Sequence, residues 1–345
     1  MPSLESLTER ERRVLEAVIQ TYIETAEPAG SQTISRRYPL GLSPASIRSI
    51  MGDLEGKGFL YHPHASAGRI PTDLAYRLYV NHLMRLAPPS DLDRATLRRE
   101  LREGKSAIEE ILRRAAQVLG VLTHELGVAV GPRLDSVVLE RLGLVHVSAE
   151  RLLLVFNLRS GAVRTIFVQV PAHVATGTIE HVTRILNERL AGLTLKEIRA
   201  TLADRLRDAG RSGEGGELLN IFIEEGEEIF DLSVETEGVM LGSAELLAGQ
   251  PEFASNERMR DLLSLTGRRD LLREALAERS ALGLSITIGG EHRDERLADL
   301  TLVTSSYRLG ELAGVIGVIG PTRMPYDKII GLVQHTSLLV EGLIA

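Results

Sequence analysis

The stretch SPASIRSIMGDLEGKGFLYHPHASAGR, residues 43 to 69, limits the possible folds more than any other part of the chain. Ser43 is a residue type that caps helices, and Pro44 suits the first helical position, where no amide hydrogen is needed. Apolar residues then recur at helical spacing, at Ile47, Met51 and Leu54. Because glycines follow at 56 and 58, the pattern predicts a short helix with one apolar face.

The opposite face of this predicted helix is small, polar and cationic at its start. It carries Ala45, Ser46, Arg48 and Ser49. Small residues let a helix approach another surface closely, and an arginine can bridge to phosphate or to guanine in a major groove. Asp53 and Glu55 lie further along and would repel phosphates, so we expect the N-terminal end of the helix to dock.

Two helices are predicted before this one, and a ribbon after it. Thr8 and Glu11 form a capping-box pattern that starts a helix over about 8–25, and Ser31 can cap a second helix. After the glycines, FLYH and RI predict two short strands joined by the turn PHASAG. Three helices and a ribbon make a winged helix-turn-helix, whose third helix enters the major groove while the ribbon reaches the backbone or the minor groove. A protein-docking module of the same shape remains an alternative, because the surface is hardly basic.

The pattern changes after Leu86. APPSD predicts a linker, and helical spacing resumes over about 91–126. The segments VVLERLGLVHVS, RLLLVFNL and AVRTIFVQV then predict an antiparallel meander, and helical spacing follows over about 174–210. Three more strands, in LSITIGG, LTLVTSSY and GVIGVIG, precede a last helix. A chain of 345 residues with this pattern predicts two or three domains, and an α+β body.

Composition excludes several classes of protein. The chain has no cysteine, which removes disulfides, thiolate nucleophiles and cysteine zinc sites. No apolar run approaches the ~18 residues of a membrane helix and the N-terminus is charged, so we predict a cytoplasmic protein without membrane contact. His62 and His64, with His82 as a third candidate, could share a metal ion, but phosphate contact or turn packing is the preferred interpretation. No His-Glu-x-x-His, Gly-x-Ser-x-Gly or Walker pattern occurs, so we predict no catalytic residue, metal or cofactor.

Several segments resemble the HrcA family of bacterial heat-shock repressors. The family's recognition helix opens with Ser-Pro-Ala-Thr-Ile-Arg-Asn, here SPASIRS, and its wing is Pro-His-Thr-Ser-Ala-Gly-Arg-Ile-Pro-Thr, here PHASAGRIPT. DLEGKGFL and AYRLYVNHLM continue the similarity, and IGGEH (288–292) and GVIGPTRMPYDKII (317–330) resemble motifs near the family's C-terminus. Ser46 stands where the family has Thr, and Ser49 where it has Asn. Serine cannot make the bidentate adenine contact of asparagine, so the base that the family reads from this position is not carried over to Ser49.

The resemblance implies an α+β multidomain fold and a domain plan. The N-terminal winged helix-turn-helix would cover 1–86, a linker 87–104, a GAF-like α+β domain 105–170 and 246–345, and an inserted dimerising α+β domain 171–245. We expect DNA contacts from the start of the recognition helix and from the wing, at Ser43, Ser46, Arg48, Ser49, His64, Ser66 and Arg69. Ser43 would position the helix rather than read bases, and Arg48 and Arg69 would carry most of the binding.

The resemblance also implies a function. The chain would be a homodimer that binds a double-stranded inverted-repeat operator ahead of chaperonin operons, represses transcription until heat stress, and is modulated by a GroEL-type chaperonin. A rival hypothesis is a ligand-gated repressor that senses a small metabolite through its GAF-like domain. An enzyme with a regulatory winged helix is a third possibility, but it needs a convergent nucleophile, base or metal set that the sequence does not offer.

Overall fold

The computed structural model describes residues 7–64, 67–102, 108–132, 137–159, 161, 163–171, 174–208, 215–230, 238–310 and 312–344. The chain divides into two compact units. The first unit consists of Met1–Ala129, Met240–Tyr307 and Val315–Leu343, and the second of Val130–Val239, Arg308–Gly314 and Ile344–Ala345. Both contain helices and strands, which confirms the predicted α+β class. No helix in the described part of the chain is long and apolar enough to cross a membrane.

The N-terminal segment of the first unit, residues 7–64 and 67–86, consists of helices and a two-stranded ribbon. Its elements are α1 (Glu9–Thr25), α2 (Ser31–Arg37), α3 (Pro44–Gly56), β1 (Leu60–Tyr61), β2 (Ile70–Pro71) and α4 (Asp73–Leu78), which continues as a π-helical turn over Tyr79–Leu83. The two strands pair in antiparallel fashion, with Leu60 opposite Pro71. Three helices and a ribbon therefore follow one another along the chain.

A small apolar core holds the N-terminal segment together. It draws fully buried residues from each of the first three helices and from the start of the ribbon: Leu15, Ile34, Ile47, Leu54 and Phe59. Each such side chain contributes about 1.5–3 kcal/mol through burial. Thr8 and Glu11 form a capping box at the start of α1. Glu11 Oε1 also lies 2.7 Å from Lys57 Nζ, so the start of α1 is tied to the residue that follows α3.

The remaining elements are, in chain order, α5 (Asp91–Arg102), α6 (Ile108–Thr123), β3 (Leu126–Val130), β4 (Leu139–Ser148), β5 (Arg151–Leu158), β6 (Val163–Gln169), α7 (Thr176–Leu190), α8 (Leu195–Leu206), α9 (Gly216–Glu224), α10 (Gly226–Ile229), β7 (Val239–Leu241), α11 (Glu245–Ala248), α12 (Asn256–Gly267), α13 (Arg269–Ala277), β8 (Ser285–Ile288), β9 (Leu300–Leu309), β10 (Leu312–Pro321) and α14 (Tyr326–Ile344). The first unit is built on a five-stranded sheet of order β7-β3-β10-β9-β8. Its two central strands, β9 and β10, are almost entirely buried, as strands covered on both faces must be.

The stretch predicted as a linker, 87–104, is packed over the part that the structure describes, 87–102. It contains α5, whose Leu97 and Leu101 are buried. At its start, a Cβ on Gly331 would lie only 2.4 Å from the Ala87 carbonyl oxygen. The apolar positions of α5 therefore pack against neighbours, which a mobile connection would not provide.

The second unit contains an antiparallel meander of order β4-β5-β6 and the helices α7 to α10. One face of β5 is buried, through Leu152, Leu154, Phe156 and Leu158. Asn187 on α7 exchanges hydrogen bonds with the backbone of Leu142 on β4, at 2.7 and 2.8 Å, and so fixes the helix on the sheet.

The start of the second unit differs from the predicted start of the inserted segment. The prediction placed the meander in the GAF-like domain and began the insertion at 171, whereas the second unit begins at Val130. In the described residues, the three strands pair with one another and not with the five-stranded sheet. Phe156 also packs edge-on against Phe230, with ring centroids 5.4 Å apart. The meander therefore shares its core with the helices that follow it.

Candidate nucleic-acid interface

The start of α3 is fixed by its cap and by its apolar face. Ser43 has an extended backbone, and its Oγ accepts a hydrogen bond from the Ser46 amide at 3.1 Å. The hydroxyls of these two serines lie 3.0 Å apart. Pro44 occupies the first turn. Ile47, Met51 and Leu54 are buried, so the helix cannot rotate about its axis without exposing them.

The other face of α3 is open to solvent. Ala45, Ser46, Arg48 and Ser49 are all exposed. Arg48 makes no hydrogen bond or ion pair with any residue that the structure describes, so its guanidinium has five donors to offer. The positive end of the helix dipole lies one turn before it, which also favours an anion at this end. The face can therefore meet a negatively charged surface at close range.

The ribbon is anchored at its base to the loop between α1 and α2. Arg69 and Ala29 exchange two backbone hydrogen bonds of 2.9 Å each. A Cβ on Gly68 would lie 2.4 Å from the Ala29 carbonyl oxygen, so only glycine permits this close approach. Thr72 Oγ1 donates to the Gly58 carbonyl at 2.8 Å, which ties the second strand to the end of α3. The ribbon thus has a defined position relative to the helices.

The Arg69 side chain, which the sequence analysis expected to contact DNA, is ion-paired and largely buried in this structure. Its Nη2 lies 2.8 Å from Glu55 Oε2 near the end of α3, and the side chain is only 13% exposed. His62 Nδ1 lies 2.9 Å from the other carboxylate oxygen of Glu55. Glu55 therefore joins the ribbon to α3 through two partners.

The other predicted wing residues have different surroundings. His64 is exposed, and Ser66 lies outside the described residues. His62 and His64 do not belong to a metal-binding cluster, since the described parts of the chain contain no group of three His, Cys, Asp or Glu residues that could hold a metal ion. The Glu55 carboxylate beside His62 was not found from the sequence, because the two side chains meet only when the ribbon folds back on α3.

The IGGEH motif contacts α4 of the N-terminal segment. Arg77 Nε donates to Glu291 Oε1 at 2.7 Å, and Arg77 Nη2 donates to the Ile286 carbonyl at 2.8 Å. The Gly290 amide donates to Asp73 Oδ2 at 2.9 Å. The motif therefore binds α4 through the Gly290 backbone amide and the Glu291 carboxylate. Sequence reasoning found the motif but had no signal for this partner.

The second C-terminal motif contacts α1 and α4. Arg323 Nη1 donates to the Ile23 carbonyl at 2.8 Å, and the same guanidinium makes a bidentate ion pair with Glu252, at 2.6 and 3.0 Å. The rings of Tyr326 and Tyr76 pack with centroids 5.8 Å apart, and both residues are buried. Both motifs therefore hold the N-terminal segment through α1 and α4, and leave the exposed face of α3 open.

Comparisons with known proteins agree on one family. The family model described as HrcA protein C terminal domain matches residues 109–330. A heat-inducible transcription repressor HrcA from Chlorobium phaeobacteroides (strain BS1) is 38% identical over 340 residues, which cover 95% of this chain and 96% of the relative. The protein of the same name from Chlorobaculum tepidum is 39% identical over 343 residues, with 95% of each chain covered.

A solved structure shares the fold. It is titled as the crystal structure of a hypothetical protein at 2.2 Å resolution, and it matches with a TM-score of 0.68 and 24% identity over 98% of both chains. Family model and relatives together span the segments in which the sequence resemblance was found. The chain belongs to the HrcA family of heat-inducible transcription repressors, which are regulators and not enzymes.

Proposed function

We propose that this protein represses heat-shock transcription as a homodimer that binds a double-stranded inverted-repeat operator ahead of chaperonin operons. The observation that carries the proposal is the exposed start of α3, where Arg48 has no partner within the described residues and is flanked by small side chains. A repressor of bacterial transcription acts in the cytoplasm, where the chromosome is.

In the proposed complex, the first two turns of α3 lie in the major groove. Arg48 makes a bidentate contact to guanine, and Ser46 and Ser49 make shorter contacts beside it. Ser43 holds the first turn in place through its bond to the Ser46 amide. The small side chains matter because a helix fits the groove only when its backbone can approach the bases.

The wing contributes phosphate contacts in this proposal. His64 follows the first strand and Arg69 directly precedes the second, and Ser66, which falls between them in the sequence, would contact phosphate as well. Arg69 is paired with Glu55 in the free protein. On binding, a phosphate replaces Glu55 as the partner of Arg69, because arginine pairs with phosphate oxygens through the same charge-assisted hydrogen bonds that it makes to a carboxylate.

The second unit supplies the proposed dimer contact. Val145, Leu153 and Phe167 stand opposite one another on neighbouring strands of the meander, and Val145 and Phe167 are about half exposed. Val147 and Val163 are likewise exposed. An apolar sheet face open to solvent is typical of an interaction site, and two-fold pairing of two copies matches a palindromic operator.

The role of the chaperonin in the proposal rests on the family resemblance. Removing one or two kcal/mol of stability lowers the ratio of folded to unfolded protein about 5- to 30-fold, which depletes the folded repressor when its fold is only marginally stable. A chaperonin that returns unfolded repressor to the folded state would raise the fraction that binds DNA. Heat diverts chaperonin to other clients, and the operon is then transcribed.

Two arginine variants separate base reading from phosphate binding. Arg48→Ala should reduce the free energy of operator binding by about 1–3 kcal/mol and relax the base preference at one position. Arg69→Ala should weaken binding to every DNA sequence by the same factor and reduce the salt dependence of the binding constant by about one phosphate contact. Arg260→Ala, an exposed arginine outside the N-terminal segment, serves as control and should change neither. If Arg48→Ala lowers the affinity for all duplexes equally, Arg48 does not read a base.

A pair of carboxylate variants tests the exchange of partners at Arg69. Glu55→Gln releases Arg69 and removes one negative charge from α3, so binding to every duplex should tighten. Asp53→Asn removes the same charge from an exposed position on the same helix, where no ion pair with Arg69 is present. Glu55→Gln should therefore give the larger gain. Equal gains would show that the released Arg69 makes no contact with the phosphates, which would contradict the proposed exchange.

A further inference from the structure

A cleft of about 430 Å³ lies in the first unit between α13, β8 and the turns that follow β8. This volume is in the range of small-molecule sites. Its floor is partly apolar, through the buried Leu271 and Leu297. None of its lining residues belongs to the proposed DNA interface.

Arg279 lies in the wall of this cleft and is only 8% exposed. Its Nη1 donates to Ser285 Oγ at 3.1 Å, Nη2 donates to Thr287 Oγ1, and Nε donates to the Ala275 carbonyl at 3.1 Å. All three acceptors are neutral. Among the described residues, no carboxylate lies within ion-pair distance of this guanidinium.

A buried guanidinium without a counter-charge is costly, because burial removes it from water and arginine does not give up its proton. Burial lowers the pKa of Arg279 in spite of the more distant charge of Glu278. The two hydroxyls that accept from Arg279 still have their own protons to donate. Arg279, Ser285 and Thr287 thus present a positive charge and two O–H donors, which is the arrangement that a carboxylate ligand requires.

His292 is a half-buried titratable group in the cleft. Burial, and after it the charge of Arg279, lowers the pKa of His292 to about 4, so the imidazole is neutral at pH 7. Its Nε2 lies 3.1 Å from the Leu300 carbonyl oxygen, which it can reach as a neutral donor. The positive charge inside the cleft is therefore that of Arg279.

The mouth of the cleft carries the opposite charge. Glu274 and Glu278 are exposed there, on α13 and at its end. Glu278 Oε1 lies 3.3 Å from Nη1 of the exposed Arg293. Glu274 makes no hydrogen bond or ion pair within the ranges that the structure covers. Carboxylates in this position repel a multiply charged anion such as phosphate and attract an ammonium group. A ligand that suits both ends of the cleft carries one charge of each sign.

We propose that this cleft binds a small zwitterion of the amino-acid type, with its carboxylate on Arg279, Ser285 and Thr287 and its ammonium group at Glu274. The site lies entirely within residues 271–297 and does not depend on the proposed DNA binding. Its wall includes Glu291, which holds Arg77 of the N-terminal segment. A bound ligand therefore lies beside the contact between α4 and the IGGEH motif.

Calorimetric titration of the full chain tests the proposal. The probes are the ω-amino acids from glycine to 6-aminohexanoate, each paired with the carboxylic acid of the same carbon chain, and inorganic phosphate. At least one amino acid should bind about tenfold or more tightly than its carboxylic acid, and phosphate should bind more weakly than either. Absence of binding by the whole series, equal binding within each pair, or preference for phosphate would overturn the proposal.

Two variants locate the binding. Arg279→Gln should weaken the binding of the tightest-binding amino acid about tenfold or more, because a charge-assisted contact is lost. Arg273→Gln, at an exposed position on α13 that does not line the cleft, should leave affinity unchanged. Glu274→Gln is a solvent-exposed change that the fold tolerates, and it should bring the amino acid and its carboxylic acid to nearly equal affinity. An unchanged ratio in Glu274→Gln would contradict the proposed orientation, even if Arg279→Gln does not fold.

Discussion

Arg323 joins the C-terminal motif to the N-terminal segment, and its replacement measures how strongly the two are held together. Its guanidinium makes a bidentate ion pair with Glu252 and donates to the Ile23 carbonyl of α1 at 2.8 Å. The Arg323 side chain is 13% exposed and that of Glu252 is 27% exposed. Arg323→Met removes these three hydrogen bonds and a longer one of 3.4 Å to Gln250 Oε1, but it keeps most of the apolar stem.

The cost of Arg323→Met follows from these contacts. Breaking a buried ion pair costs about 3–5 kcal/mol, because one charge is left without a partner. An exposed pair contributes about 1 kcal/mol or less. Since water can reach about a quarter of the Glu252 side chain, part of the lost interaction is replaced by solvent. We therefore expect the free energy of unfolding to fall by about 2–3 kcal/mol.

Urea unfolding provides the assay, followed by circular dichroism and by tyrosine fluorescence, since the chain has no tryptophan. Arg258→Met is the matched control, because its partner Asp299 is also a carboxylate but the two side chains are 49% and 68% exposed. The control should lose less than about 1 kcal/mol. The double variant Arg323→Met with Glu252→Gln should lose less than the sum of the single changes. Equal losses for Arg323→Met and the control, or strict additivity, would refute this reasoning.

Two further changes test the packing of the first unit. Burial raises the pKa of Glu11, but hydrogen bonds from Lys57 and Thr8 outweigh it and hold this pKa below its ordinary value of 4.5. The stability that Glu11 contributes is thus present above that value and lost as the pH falls through the lower folded value, so wild type and Glu11→Gln should differ in urea unfolding at about pH 6 and converge at about pH 3. Gly127→Ala should destabilise severely, because its Cβ would lie 1.8 Å from the Ala116 carbonyl oxygen. Gly52→Ala, whose Cβ would meet open space on α3, should stabilise by about 0.5–1 kcal/mol. Thermal melts of both variants check these expectations, and a Gly127→Ala protein that is more stable than Gly52→Ala would contradict the packing described.

The elements that local rules determine were predictable from the sequence. The serine-proline start and the apolar spacing of α3 act within a few residues of one another, so the helix begins at Pro44 as expected. The exposed face followed from the same spacing. Arg48 and its small neighbours could therefore be placed on that face before any contact was known.

Contacts between distant residues were not predictable in this way. The ion pair of Arg69 with Glu55 depends on the ribbon folding back on α3, and no local pattern records that approach. The contact of Arg77 with Glu291 joins residues that are more than 200 positions apart. Its two halves lie in segments that the sequence analysis identified separately, as parts of AYRLYVNHLM and IGGEH.

The boundary of the second unit was missed for a related reason. The strands β4 to β6 show the alternation of any half-buried antiparallel sheet, and that alternation does not tell which sheet they join. Only the packing of Phe156 against Phe230 and of α7 against β4 places them in the second unit. The helices after 171 were visible in the sequence, but the strands that share their core were not recognised as part of the same unit.

The central claim is sequence-specific binding of DNA by the exposed start of α3. The most direct test is equilibrium binding of the purified protein to an inverted-repeat duplex from upstream of a chaperonin operon and to a scrambled duplex, at two salt concentrations, with and without chaperonin. The account predicts a preference of about 10³ or more for the inverted repeat, and a larger active fraction when chaperonin is present. Equal and steeply salt-dependent binding to both duplexes would contradict it, because the protein would then hold DNA only by its phosphates.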